Sequence, residues 1–327
     1  MEKKNYTPST VLMCPPTYYW IEEEINTRMN KKIQPIMEKA WRQWTVIRNL
    51  YTKFGLLVYE IEPYPGLTEM IFTANGAWGV YNEKEKRSEI VLSNFVHKRR
   101  RGEKEHYRKW LKERFGFAVF EIREDPQNPE LDILFEGQGD ATLATYAYFI
   151  GYGYRTNEQA VEHVKRLLCL EKPTIPLKLC DSNFYHLDTC MMSLPEKNAL
   201  IFYGGAFKAG LQKINEYIKK HDAKHYRMEK NLADCLAANS VYINDIILLN
   251  VPFPDYSEEA FEKSARGEFL DWNDVRLEEI IKKEAGYSDL IKFLWELEYK
   301  IIPVYTSEYI KSGAGIRCMT LFLHTSN

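Results

Sequence analysis

Short runs rich in β-branched and aromatic residues alternate with amphipathic stretches along the whole chain, and this alternation limits the possible folds more than any other feature. Apolar positions at Ile33, Met37, Ala40, Trp44, Ile47, Tyr51 and Phe54 step by three and four, so they share one helical face, and Gly55 follows as a stop. A strand is expected immediately afterwards, from Leu56 to Ile61. Further strands are expected at Glu69 to Ala74, Glu89 to Phe95, Phe117 to Ile122, Leu131 to Phe135, Ile175 to Leu179, Leu200 to Tyr203, Ile246 to Asn250, Ile301 to Tyr305 and Ile316 to Leu323. Helices are expected between them near 103–115, 157–168, 206–220, 275–284 and 288–297. The helix near 157 carries a capping-box signature, Thr156 followed three residues later by Gln159. The pattern excludes an all-α or all-β chain and predicts a mixed α/β fold.

No low-complexity linker separates autonomous parts, so residues 1–327 read as a single domain. About five strand–helix units fit the length, although no repeat is legible letter by letter. Two segments stand apart. Asn82 to Ser88 (NEKEKRS) reads as a charged turn between strands, and Pro252 to Asp274 carries charge and aromatics without a clear period.

Basic and acidic residues number 44 and 46, a balance that gives no electrostatic footprint for a polyanion, so nucleic acid is not an expected partner. No apolar run approaches the roughly 20 residues of a membrane helix, and MEKKNYTPST has no apolar signal core behind it. A cytoplasmic protein without a membrane partner is expected. Six cysteines without a CxxC pair argue against a disulfide scaffold and against structural zinc.

Four polar clusters combine ionisable or amide side chains with glycines or strand ends, where backbone can approach a ligand closely: Thr73 to Gly76, Phe135 to Asp140, Tyr185 to Thr189 and Ser312 to Thr320. Cys318 follows a glycine-rich loop whose exposed N–H groups can favour a thiolate, although a buried cysteine is also a common small apolar residue. His186 and Asp188, two apart on an expected strand, would share one face as an acid–base unit; a plain core histidine is the simpler reading. Glu136 and Asp140 flank two glycines and a glutamine, a segment not expected to be regular helix, and suit a planar multi-donor cation or simply an exposed turn. Asn75 before Gly76 also fits an ordinary turn. Arg100 and Arg155 are either surface charges or a clamp for a substrate carboxylate.

In chain order these clusters resemble the guanidino-group-modifying superfamily of arginine deiminases, dimethylarginine dimethylaminohydrolases, amidinotransferases and arginine dihydrolases. The matching pieces are LMCPPTYYWIEEEIN (12–26), TEMIFTANGA (68–77), LSNFVHKRRRGE (92–103), FEGQGD (135–140), GYGYRTN (151–157), FYHLDTCMMSL (184–194), LAANSV (236–241) and SEYIKSGAGIRCMTL (307–321). The resemblance implies a five-bladed α/β propeller with the active site in its central channel. It implies Cys318 as nucleophile, His186 as general acid and base, and Glu136 as the carboxylate that binds the guanidinium. Asp140 and Asp188 match the supporting acids, and Arg100 and Arg155 match positions that hold a substrate carboxylate. Deiminases usually carry aspartate where this chain has Asn75, which, with the early CPP…EIN segment, is closer to the arginine dihydrolase branch; there Asn26 and Asn75 would line the pocket. That branch commonly reads asparagine-proline-tryptophan-methionine where this chain reads Asn26-Thr27-Arg28-Met29.

The implied chemistry is cysteine attack on the guanidinium carbon of L-arginine, a covalent amidino-thioether, and hydrolysis through His186, with no metal or organic cofactor. Arginine dihydrolase is the leading expectation. Deiminase or dimethylarginine dimethylaminohydrolase, amidinotransferase and a non-catalytic guanidine-binding protein are the alternatives. A homo-oligomer is expected by analogy only.

Overall fold

The alternation resolves into five three-stranded sheets in a computed structural model that describes residues 9–82, 84–122 and 132–324. Strands β1 (Thr10–Met13) and β2 (Leu57–Glu60) pair in parallel across the helix Met37–Lys53. The next triplets are β3 (Ala77–Asn82), β4 (Arg87–Leu92) and β5 (Ala118–Phe120); β6 (Ala141–Leu143), β7 (Tyr148–Tyr152) and β8 (Thr174–Lys178); β9 (Met191–Leu194), β10 (Ala199–Phe202) and β11 (Lys224–Arg227); and β12 (Val241–Ile243), β13 (Ile246–Val251) and β14 (Lys300–Tyr305). In each triplet the first two strands are antiparallel and the last two parallel. The sheet of β1 and β2 obtains its antiparallel partner from the other end of the chain: β15 (Leu321–Leu323) sets Leu323 opposite Thr10.

Parallel neighbours cannot be joined by a tight turn, so a helix must carry the chain from the middle strand to the third. Glu103–Phe115, Glu158–Leu167 and Lys208–His221 do this in three sheets, and Glu258–Ala265, Val275–Lys283 and Gly286–Glu296 do it in the last. A sheet of three short strands is marginal alone and needs the helix over it. Met37–Lys53 accordingly buries Ala40, Trp44, Ile47, Leu50 and Tyr51 on the expected face, whereas Ile33 lies ahead of the helix and is exposed.

Several expectations need correction. Glu69 to Ala74 is not a strand: consecutive turns lead into the 3-10 helix Thr73–Gly76, because the N–H of Phe72 and Asn75 bond back to Glu69 and Phe72 while that of Ala74 reaches the Cys318 carbonyl. Of Ile316 to Leu323 only the last three residues form strand. Leu131 lies outside the described residues, and Phe135 makes only an isolated bridge with Asn94. Gly137–Asp140 is one turn of helix after all. Pro252 to Asp274 contains the helix Glu258–Ala265, started by the Ser257 hydroxyl accepting the Ala260 N–H. Asn82 to Ser88 joins β3 to β4 as expected, with Glu83 outside the described residues.

Just ahead of the first strand of every sheet the chain makes a short turn, and these five turns touch in a closed cycle. Thr73–Gly76 supports Gly137, which sits over the Ala74 and Ala77 carbonyls. Asp140 accepts the Leu187 N–H; Asn239 donates to the Asp188 carbonyl; Arg317 donates its N–H to the Asn239 carbonyl; and Ala74 closes the circuit on Cys318. Gly137 has φ +59°, and a β-carbon there would lie 2.7 Å from both carbonyl oxygens. Gly137→Ala is therefore expected to cost about 2–4 kcal/mol from left-handed strain plus overlap, read as a lowered urea midpoint with the slope unchanged.

Candidate active site

The entry turns carry Asn75, Glu136, Asp140, His186, Asp188 and Cys318, and segments after β1, β4 and β7 bring Asn26, Arg100 and Arg155 to the same end of the cycle. Asn26, Asn75, Arg100, Arg155, His186 and Cys318 line one small pocket. Glu136, Asp140 and Asp188 stand outside that wall, fully or almost fully buried. His186 and Asp188 do not lie on a strand; they flank the start of the 3-10 helix Leu187–Thr189, so their proximity comes from the turn and not from alternation.

Glu136 is the electrostatic brace of the imidazole. Its Oε2 accepts from His186 Nε2 at 2.9 Å and from Arg155 Nη1 at 3.3 Å, while Oε1 accepts the Val96 N–H. Burial alone would raise its pKa, but Arg155 and the His186 hydrogen bond outweigh burial and hold the carboxyl well below the usual carboxylate range. These contacts tie Glu136 to protein partners behind the wall. Asp140 takes the opposite state: burial pushes its pKa up to about 7, although Oδ1 accepts the Leu187 N–H and Oδ2 the Thr156 hydroxyl at 2.6 Å. Thr156 also accepts the Glu136 N–H, which explains why it does not cap its helix; Glu158–Leu167 begins after Asn157 with no side-chain cap.

Cys318 sits between a donor and an acceptor. Its thiol donates to Asp188 Oδ2 at 3.3 Å, and its sulfur accepts from Asn239 Nδ2 at 3.1 Å. Burial first, and the Asp188 carboxylate second, push the thiol pKa well above its ordinary value. Beyond Asp188 lies a larger cavity lined by Trp78, Gln138, Met192, Tyr242 and Arg317, with no cysteine in its lining.

The two arginines are unequal. Arg100 grips Glu103 through Nε and Nη2, bonds Asn75 Oδ1 at 2.9 Å, and reaches the Glu69 and Phe72 carbonyls. Arg155 uses two of its five N–H groups, on Glu136 and the Ile25 carbonyl, and its guanidinium stacks 4.8 Å over Tyr185. Because Arg100 offers only donors, it fixes the Asn75 amide with oxygen toward itself, and Asn75 Nδ2, buried and without a hydrogen-bond partner among the described residues, lies against Gly139. Asn26 donates to the Ser312 carbonyl and accepts the Arg28 N–H. Thr27 and Arg28 do not line the pocket: Thr27 bonds Ser182 and Asn183, and Arg28 bonds the Asn183 and Asp234 carbonyls, pinning the covering segment from outside.

A family model described as N,N dimethylarginine dimethylhydrolase, eukaryotic, matches residues 16–226, well over half of the chain. The chain belongs to this dimethylarginine dimethylhydrolase family. Among similar proteins, the bifunctional arginine dihydrolase/ornithine cyclodeaminase ArgZ of Synechocystis is 31% identical over 95% of this chain and 37% of its own length. The N(G),N(G)-dimethylarginine dimethylaminohydrolase of Mycobacterium tuberculosis is 30% identical over 63% of each. A crystal structure of the N-terminal domain of ArgZ bound to product superimposes with a TM-score of 0.74 at 29% identity, covering 95% of this chain and 96% of that one. The chain thus spans little more than a third of the length of the cyanobacterial protein.

The sequence reading of this family member missed Glu69, Tyr185 and Asn239. Glu69 lines the pocket beside both arginines, and burial pushes it up to about 7. Asn239 lies in LAANSV, matched as a fragment but never singled out; its position just ahead of a first strand, like Asn75, is the signal that could have found it. Among the described residues no group of three or more His, Cys, Asp or Glu is arranged to hold a metal ion, and no helix is long and apolar enough to cross a membrane.

A pKa raised by burial and by Asp188 leaves the ligand-free thiol protonated at neutral pH. Iodoacetamide labelling of Cys318, followed on its tryptic peptide, is expected to climb about tenfold per pH unit through pH 9 without levelling off. Asp188→Asn should bring the rise to lower pH.

Proposed function

We propose that this chain is an arginine dihydrolase built as a single five-bladed α/β propeller, which converts free L-arginine and two waters into ornithine, carbon dioxide and two ammonia. The repeated sheet topology and the closed cycle of entry turns support the propeller. Six free cysteines fit a reducing compartment such as the cytoplasm.

Cys318 is the proposed nucleophile. The substrate's own positive charge offsets the burial and the carboxylate that hold the thiol protonated, and the proton passes to Asp188, which it already hydrogen-bonds. Sulfur attacks the guanidinium carbon, His186 protonates the departing nitrogen, and ammonia leaves an amidino-thioether. Water deprotonated by His186 then attacks, and loss of the thiolate gives a ureido group. Glu136 acts through His186 and Arg155 rather than on the substrate, which revises the guanidinium-binding role that the resemblance implies. Arg155, with three N–H groups that make no hydrogen bond among the described residues, is the proposed partner of the substrate carboxylate, Arg100 the fixer of Asn75, and Asn26 a pocket-wall residue.

The observation that carries the dihydrolase reading is the orientation of Asn75. Asn75 lines the pocket and keeps an amide donor that is unpartnered among the described residues; such a donor is useless to a guanidinium, which has no acceptor, but it suits the oxygen of a ureido group and of the tetrahedral adduct that forms on it. A second attack by sulfur there expels ammonia and leaves a thiocarbamate; hydrolysis gives a carbamate that loses carbon dioxide. The second reading, dimethylarginine hydrolysis to citrulline and dimethylamine, draws on the matched family and the mycobacterial relative.

Incubation with L-arginine is expected to yield ammonia and ornithine at two to one without lasting citrulline, and Cys318→Ala to yield nothing. Citrulline as the sole end product rejects the dihydrolase reading, and preferred turnover of dimethylarginine favours the second. Asn75→Asp replaces the donor with a carboxylate, so citrulline should accumulate, with the second hydrolysis slowed about 10²–10³-fold.

A further inference from the structure

Asn239 has no role in the chemistry described so far, yet its side chain is buried and its amide is saturated by the catalytic machinery. One Nδ2 hydrogen reaches Cys318 Sγ at 3.1 Å and the other the Asp188 carbonyl at 3.1 Å. Its Oδ1 accepts two backbone N–H groups of the nucleophile loop, Gly315 at 3.0 Å and Cys318 at 3.1 Å. Each possible hydrogen bond of the amide is made, and every partner belongs to the loop bearing Cys318 or to the turn bearing His186 and Asp188.

These four bonds allow one orientation only. Flipping the amide would set the oxygen against the Asp188 carbonyl and the sulfur lone pairs, and the NH₂ against two N–H donors. The sulfur therefore always meets an N–H. Around Cys318 Sγ two polar neighbours then act in opposite senses: Asp188 accepts the thiol proton and favours the neutral form, whereas Asn239 donates and becomes a stronger, charge-assisted partner once the sulfur is ionised. A second buried asparagine braces the same loop from below without touching the sulfur: Asn250 Oδ1 accepts the Ile316 N–H and the Thr306 hydroxyl.

We infer that Asn239 is a positioning residue that stabilises the Cys318 thiolate by its fixed N–H···S bond while holding the nucleophile loop against the His186 turn. The inference rests on Cys318 being the nucleophile, and its test does not require turnover of arginine. Asn239→Asp keeps the side-chain volume and an oxygen for the Gly315 and Cys318 N–H groups, but sets a carboxylate oxygen at the sulfur. Iodoacetamide labelling of Cys318 at pH 9 is expected to slow at least about tenfold, with its rise displaced to higher pH, equivalent to a pKa raised by about one or more. Followed up to the pH at which the wild-type rate levels, the variant's levelling point should move to higher pH, whereas a purely structural role would lower the rate and leave that point in place. A folded Asn239→Asp protein whose labelling follows the wild-type pH dependence overturns the inference.

Should that variant fail to fold, the wild-type protein labelled with ¹⁵N at asparagine answers the same question. The Asn239 side-chain amide is expected to shift downfield as Cys318 ionises and to lose that response in Cys318→Ala; an amide indifferent to the ionisation overturns the inference. Failure of the nucleophile assignment would be seen separately, as arginine turnover surviving in Cys318→Ala.

Discussion

The closed cycle of five entry turns is the constraint on which the rest of the molecule depends. Each turn packs against or hydrogen-bonds the next, so the turns brace one another across sheet boundaries. Asp140 fixes the start of the His186 turn, that turn is tied to Asn239, and Asn239 holds the loop of Cys318. Three-stranded sheets on their own would be too small to fix side chains at hydrogen-bond precision; the cycle supplies the rigidity that a larger sheet would otherwise provide.

Within that frame, neighbouring carboxyl groups are driven to different states by their partners. Glu136 is held ionised by Arg155 and His186, whereas Asp140, only 4.0 Å from the same imidazole, is pushed up to about 7 by burial. A permanent anion behind the imidazole and a carboxyl able to change state near it suit a residue that must both give and take a proton. The thiol, meanwhile, is held toward its neutral form by burial and the Asp188 carboxylate.

The α/β class, the long crossover helices and the buried central strands were legible because each carries a clear period or a continuous β-branched run, as in Met37–Lys53 and Ile246–Val251. The first strands of the sheets were not. Ala141–Leu143 and Met191–Leu194 have three or four residues, too few for a period, and follow turns whose conformation is set by contacts with the next turn rather than by local sequence. For the same reason Glu69 to Ala74 reads as strand by composition but folds as turns. All nine candidate residues gathered at one centre, yet their division into pocket wall and supporting layer was illegible, since Glu136 and Asn75 differ only in tertiary partners. Asn239 was missed because nothing in LAANSV marks an asparagine whose four hydrogen bonds all come from residues distant in sequence.

The pairing of Thr10 with Leu323 has a consequence for biosynthesis. Because β15 follows Cys318 directly, the nucleophile and the strand that completes the first sheet are translated after all four other sheets. A nascent chain can dock its early sheets on the ribosome, but it holds β1 with an unsatisfied edge until β15 emerges. Delivery of the candidate nucleophile and closure of the first sheet are thus the same late event.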